Sequence, residues 1–262
     1  MKNRFVVIIC GDPKSTFNEI FIKTLKKFLK KLNYPIIIIC SKKLFINELK
    51  KFNTKLSFQN FESQIKLRKR NAYIMDVPLN YKNLSVNKKN SYIEKSFKIG
   101  LNLLKKRNSL GLINGPISKN SFLRGKYNGI TEFLASKTGS SNETMLIFNR
   151  KLSVSPITTH VPINRVAQKI RKKIIINKIK SINSFYKKFL GFEPHIAVTG
   201  LNPHCETFFG KNIEKIEILP AINLLKKKKF KISGPFSADT IFLKENRKKF
   251  DVIVGMYHDQ VL

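Results

Sequence analysis

The chain has 262 residues, 42% of them hydrophobic, enough to bury a substantial core as one large domain or two smaller ones. Lys and Arg outnumber Asp and Glu by 51 to 16; the lysines are spread over helix-like segments along the whole chain and come with abundant Ile and Asn, so the +35 charge reads as a solvated surface that steers anions, and no nucleic-acid partner is expected. The longest apolar runs, such as residues 34–40, are too short to span a bilayer and the start runs straight into a strand, so no membrane partner and a cytoplasmic location are expected.

Short β-branched runs alternate with amphipathic, lysine-rich stretches, the pattern of an α/β protein with a mainly parallel sheet. In chain order, strands are predicted over residues 5–10, 36–40, 112–114, 145–149, 152–158, 196–199, 231–233 and 252–256. Helices are predicted over 18–32, 91–107, 130–138, 163–189 and 213–228. In the helical region after residue 160, Ile163, Val166, Ile170 and Ile174, then Ile175, Ile179 and Ile182, recur at helical spacing and belong to the core. Residues 53–90 are the least regular and read as an excursion from the sheet. A helix stop and turn at residues 137–141 marks the boundary, giving a first lobe over 1–138 and a second over 139–262.

The three cysteines form neither a CxxC nor an even-numbered framework. Cys10 and Cys40 end apolar runs and read as small core residues in a reducing compartment. Cys205 follows His204 and is either an ordinary loop residue, a metal neighbour or a thiol nucleophile.

Three of the four histidines stand at predicted strand exits, where an open α/β sheet presents its ligands. They are His160 in Thr158-Thr159-His160-Val161-Pro162, His204 in Gly200-Leu201-Asn202-Pro203-His204, and His258 in Gly255-Met256-Tyr257-His258-Asp259-Gln260. Three neutral imidazoles from three loops suit a divalent metal with a position left open for substrate. Nothing local forces them together, and three loop histidines hydrogen-bonded to nearby backbone explain the same spacing. His195, at a strand entrance, reads as structural.

Other strand exits carry chemistry of their own. Gly11-Asp12-Pro13 follows the first strand without the glycines of a dinucleotide fingerprint. Asn114-Gly115-Pro116-Ile117-Ser118-Lys119 leads toward Thr131-Glu132 at a helix start, where Lys119, a hydroxyl and helix-start amides make an anion cradle or two ordinary turns. Asp239, just after another strand, is a substrate-binding or acid/base carboxylate or a helix N-cap. Asp259 is placed to orient His258 or to contact a ligand itself.

Taken in order, Gly11-Asp12-Pro13, Gly115 to Lys119, Thr131-Glu132, Thr158 to Pro162, Gly200 to His204, Gly234-Pro235 with Ala238-Asp239-Thr240, and Met256 to Gln260 resemble the motifs of the 4-hydroxythreonine-4-phosphate dehydrogenases. These are pyridoxal-phosphate biosynthetic enzymes of the isocitrate/isopropylmalate dehydrogenase-like fold. The resemblance implies two-lobed α/β/α subunits that form a homodimer, with the active site at the subunit interface. It implies a divalent metal, zinc, magnesium or cobalt, on His160, His204 and His258, and NAD or NADP as hydride acceptor. The substrate is then a small phosphorylated amino acid, 4-phosphooxy-L-threonine, oxidised and decarboxylated to 3-amino-2-oxopropyl phosphate. Thr131, Asp239 and Lys119 are the expected substrate contacts, and Asp239 and Asp259 the expected catalytic carboxylates; no cofactor contact is assigned.

Three departures from the family pattern accompany the matches. The family's first motif runs on with glycines where this chain has Lys14-Ser15-Thr16-Phe17-Asn18. Its His-Thr-Glu is Ile130-Thr131-Glu132 here, which removes one imidazole from the substrate pocket. Family members also continue for several dozen residues beyond the position of Leu262, supplying a lysine, an asparagine and an arginine to substrate, so a C-terminal segment is expected to be lacking. Two rivals remain: a related dehydrogenase acting on another phosphorylated hydroxy acid, and a catalytically inactive fragment or binding scaffold.

Overall fold

The computed structural model describes residues 4–62, 64–106, 109–205 and 212–262. The chain divides into two compact units, Met1–Ile130 and Thr131–Leu262, each built on its own parallel sheet.

The first unit holds β1 (Phe5–Ile9), β2 (Ile36–Cys40), β3 (Phe58–Asn60), β4 (Ala72–Asp76) and β5 (Ser109–Asn114), in the order β3-β4-β2-β1-β5. All four ladders are parallel. Every residue of β2 is buried, as expected of a central strand covered on both faces. Helices α1 (Phe17–Phe28), α2 (Lys42–Lys51) and α3 (Val86–Lys106) connect them. Phe21, Ile22 and Leu25 of α1 and Phe45 and Leu49 of α2 face the sheet, a helical spacing that turns the lysines outward. Cys10 and Cys40 are both buried, and a hydrogen bond with Cys10, reinforced by burial, pushes the Cys40 thiol well above its usual pKa, so it is held as an uncharged core group.

The second unit contains α4 (Ile130–Thr138), whose first residue lies at the division, and then β6 (Ser153–Thr158), α5 (Ile163–Lys169), α6 (Lys172–Phe185), β7 (Ile196–Thr199), α7 (Leu219–Lys227), β8 (Ile232–Phe236), α8 (Ala238–Ile241), α9 (Lys244–Arg247) and β9 (Val252–Tyr257). Its four parallel strands run β6-β9-β7-β8. Ile175, Ile179 and Ile182 of α6 and Ile222 and Leu225 of α7 bury against Val198, Val252 and Val254, each such side chain stabilising the fold by about 1.5–3 kcal/mol. Among the described residues no helix is long and apolar enough to cross a membrane.

Four details differ from the sequence expectations. The irregular stretch 53–90 contains β3, β4 and the start of α3, while α2 lies just before it. Residues 145–149 form no strand; only Ile147 bridges antiparallel to Val154. The continuous helix expected over 163–189 breaks at Ile170 and Arg171, both extended. Glu217 holds the break open by accepting from Lys172 N at 2.7 Å and pairing with Arg171 at 3.5 Å. The helix expected over 213–228 is helical throughout, but its first turn is the wide-turn segment Glu214–Ile218. The expected end of α3 at residue 107 lies outside the described residues.

Candidate active site

Because all four strands of the second sheet are parallel, their C-terminal ends lie on one edge, and neighbouring strands are spaced about 4.8 Å apart. That edge receives His160 two residues after β6, His258 directly after β9, His204 five residues after β7 and Asp239 three residues after β8. Residues separated by up to 98 positions thus leave adjacent strands in the order His160, His258, His204, Asp239.

The side chains form two pairs. The rings of His160 and His258 lie 6.3 Å apart between centroids, tilted by 30°. His204 Nδ1 lies 3.7 Å from Asp239 Oδ2. His258 Nδ1 is 2.8 Å from Asp259 Oδ1. The His258 contact is a hydrogen bond, the kind of carboxylate partner that orients metal-ligating histidines, whereas the His204 contact is an ion-pair distance beyond hydrogen-bond reach. Among the described residues no three His, Cys, Asp or Glu side chains are gathered closely enough to enclose a metal as they stand. The donor set, three imidazoles on exposed or half-buried loops, fits a divalent cation in chemistry.

The backbone beneath these residues is tied down. Thr158 Oγ1 donates to Met256 O at 2.8 Å, joining the ends of β6 and β9. Gln260 joins β9 to β7: its Oε1 accepts from Met256 N at 2.6 Å and Thr199 Oγ1 at 2.9 Å, and its Nε2 donates to Gly200 O at 2.9 Å. Glu214, only 2% exposed, holds the start of the His204 loop by accepting from Leu201 N at 3.0 Å, Asn202 N at 2.8 Å and Asn202 Nδ2 at 3.1 Å. His160 itself stands at φ +52, in the left-handed region. Thr159, just before it, donates to Glu132 Oε1 at 3.3 Å.

Sequence reasoning passed over Glu214 and Gln260 as site residues. Glu214 gave no signal, being one glutamate in a lysine-rich helical stretch. Gln260 lies two residues past the strand-exit histidine His258, and an amide at that position is the available signal.

Of the remaining expected residues, Thr131 lies half-buried in the first turn of α4, beside Glu132. Burial pushes the pKa of Lys178 below the usual lysine value, opposed by Glu143 and Glu132. Lys119 is exposed in the first unit, at the start of the helical turn Lys119–Leu123. The hydroxyl of Ser118 accepts from Ser121 N at 3.3 Å, so it caps that turn. His195 is held by backbone: its N donates to Asp251 Oδ2 at 2.7 Å, its carbonyl accepts from Asp251 N at 2.9 Å, and its ring rests 5.2 Å from Phe250.

The Gly11-Asp12-Pro13 turn is closed within its own unit. Asp12 N donates to Pro116 O at 2.9 Å, and a Cβ on Gly11 would lie 2.5 Å from that same oxygen. Asp12 Oδ2 accepts from Lys89 Nζ at 2.8 Å and its Oδ1 accepts from Lys14 N at 3.0 Å. The turn locks β1 to β5.

The chain is similar to known proteins over nearly its whole length. The family model for the pyridoxal phosphate biosynthetic protein PdxA matches residues 31–262. A 4-hydroxythreonine-4-phosphate dehydrogenase of Sulfurihydrogenibium sp. is 35% identical across 98% of this chain and 81% of its own. A putative D-threonate 4-phosphate dehydrogenase of Oceanobacillus iheyensis is 28% identical over 99% of this chain and 81% of its own. The crystal structure of a 4-hydroxythreonine-4-phosphate dehydrogenase from Burkholderia phymatum superposes with a TM-score of 0.81 at 27% identity, covering 98% of this chain and 81% of that one. The two parallel sheets with flanking helices are thus the isocitrate/isopropylmalate dehydrogenase-like fold.

Proposed function

We propose that this chain, which belongs to the PdxA family of pyridoxal phosphate biosynthetic proteins, oxidises 4-phosphooxy-L-threonine with NAD and decarboxylates the product to 3-amino-2-oxopropyl phosphate. The observation that carries the reading is the delivery of His160, His258, His204 and Asp239 to one edge of a single parallel sheet by four neighbouring strands.

In this reading His160, His204 and His258 hold a divalent cation, zinc, magnesium or cobalt. When bound, such a cation lowers the pKa of a coordinated alcohol and stabilises negative charge that develops on oxygen as carbon dioxide departs. Asp259 fixes the ring of His258 through Nδ1, leaving Nε2 toward the site. Asp239, 3.7 Å from His204 Nδ1, is in this reading the carboxylate that takes the proton released when the alcohol is oxidised. Thr131 offers a hydroxyl to the substrate from the first turn of α4, and Lys119, within the first unit, is a cation suited to a phosphate. NAD, or NADP, receives the hydride, with no residue assigned to its contact. The functional assembly is a homodimer.

Replacing His204 by Ala is expected to abolish stoichiometric zinc or cobalt binding by the purified chain, and unchanged metal content in that variant refutes the ligand set. A second reading changes the substrate alone. It is favoured by the relative named as a D-threonate 4-phosphate dehydrogenase and by Ile130, which stands where the resemblance places a substrate-binding imidazole. Competition between 4-phosphooxy-L-threonine and D-threonate 4-phosphate for the same reaction separates the two, the preferred substrate having the higher kcat/KM.

A further inference from the structure

We infer that a cavity in the first unit, at the carboxyl ends of β2 and β4, is a binding site for a nucleoside phosphate. Its volume is about 770 Å3, inside the range of roughly 300–1,000 Å3 usual for small-molecule sites. It opens beyond the last pair of the β2/β4 ladder, Cys40 and Asp76, on the edge where a parallel sheet presents its ligands. The base of the cavity is preformed. Lys42 N donates to Asp76 Oδ1 at 2.8 Å, tying the start of α2 to the exit of β4. Ser41 donates its N–H to the Tyr92 hydroxyl at 3.1 Å, and its Oγ accepts from Leu44 N at 3.4 Å. The lining falls between Ser41 and Lys82, within the first unit, whereas the strand-exit histidines belong to the second. The inference rests on neither the metal nor the reaction proposed above.

Three kinds of group meet in this cavity, and each suits a different part of one ligand. Tyr81, 45% exposed, presents an aromatic ring beside the apolar side chains of Leu44 and Leu79, a surface on which a base stacks. Lys43 on α2 and Lys82 on the loop after β4 are exposed and line opposite walls, supplying two ammonium groups to a phosphate. Asp76 commits only Oδ1 to Lys42; among the described residues no donor meets its Oδ2, which is left to accept from a ribose hydroxyl. A lone inorganic anion would use the lysines, leave the ring idle and meet the Asp76 charge. A nucleoside phosphate uses all three. The same chemistry arrives as a free nucleotide or as the adenosine diphosphate half of a nicotinamide dinucleotide.

Calorimetric titration of the purified chain with ADP, NAD and pyrophosphate tests this, at about 0.15 M salt so that the field of distant lysines is largely screened. ADP is expected to bind. Tyr81→Ala is expected to weaken ADP by about 10-fold or more while leaving pyrophosphate unchanged, and Tyr81→Phe to keep wild-type affinity for both. Lys43→Ala/Lys82→Ala is expected to weaken ADP and pyrophosphate alike by about 10-fold or more. Lys180→Ala/Lys188→Ala removes the same charge from the second unit and is expected to leave both affinities at wild type. The substituted side chains are all exposed, so the variants are expected to fold, and thermal unfolding verifies it. NAD that displaces ADP identifies the dinucleotide as the source of the group, and ADP binding that NAD leaves intact identifies a free nucleotide; both uphold the site. A folded wild-type chain that binds neither ADP nor NAD, an equal loss in the two double-lysine variants, or ADP affinity unaltered by Tyr81→Ala overturns the inference.

Discussion

Replacing Glu214 by Ala is expected to remove the support from beneath His204 at a large cost in stability. The carboxylate is 2% exposed and accepts from two backbone N–H groups, Leu201 and Asn202, and from the Asn202 side chain. Hydrogen bonds to a charged acceptor contribute about 1.5–3 kcal/mol each, and donors left unpaired under cover lose their hydration as well. The Asn202 amide can turn toward water, so the two backbone donors decide the total. The loss is about 3–5 kcal/mol, a large part of the roughly 5–15 kcal/mol that stabilises a typical domain. Glu214→Gln keeps an oxygen where three of these bonds converge and forfeits mainly the charge, for a cost of about 1–2 kcal/mol. Urea unfolding followed by far-ultraviolet circular dichroism measures both, and hydrogen exchange over residues 196–204 assigns the loss to the second sheet. An Ala variant within about 1 kcal/mol of wild type, or a Gln variant as costly as Ala, refutes the hydrogen-bond argument.

Gly115→Ala puts a Cβ 2.2 Å from the Cys10 carbonyl oxygen, so β1 and β5 must separate; a cost of about 2–3 kcal/mol or more is expected, and a melting temperature equal to wild type contradicts it. Lys89→Met strands the Asp12 carboxylate, whose side chain is 14% exposed, with one backbone donor; about 1–3 kcal/mol is expected to be lost, and restoration of stability in Asp12→Asn/Lys89→Met checks that the cause is the unpaired charge. Tyr186, whose hydroxyl donates to Ser153 Oγ at 2.8 Å, has its pKa raised by burial. The folded state therefore favours the neutral phenol, and its stability is retained below about pH 10, the unfolded value, and declines as pH rises toward the folded pKa. Tyr186→Phe is expected to cost about 1 kcal/mol at pH 7 and to flatten the decline above pH 10, measured by urea midpoints across that range.

The strand exits were legible because β2, β7 and β9 are short apolar runs that end at turn residues, and three of the four histidines followed such runs. Elements decided by tertiary partners were not. α2 buries only Phe45 and Leu49 amid lysines, a face too narrow to stand out. β3 is a three-residue edge strand with two exposed residues, and β4 sits in a polar neighbourhood that masked its apolar run. The break between α5 and α6 has no proline or glycine; it exists because Glu217, 45 residues on, accepts from the Lys172 N–H. The site followed the same division. Residue types and spacing pointed to the histidines, whereas Glu214 and Gln260 act only through partners that the fold brings to them.

The central claim is tested most directly by NADH formation from 4-phosphooxy-L-threonine by the purified 262-residue chain with NAD and a divalent metal, with and without chelator. The account predicts turnover that requires the metal, is abolished by chelator and is restored by added Co2+ or Zn2+. Turnover unaffected by complete metal removal, or absence of turnover in a folded chain that binds the metal, contradicts it.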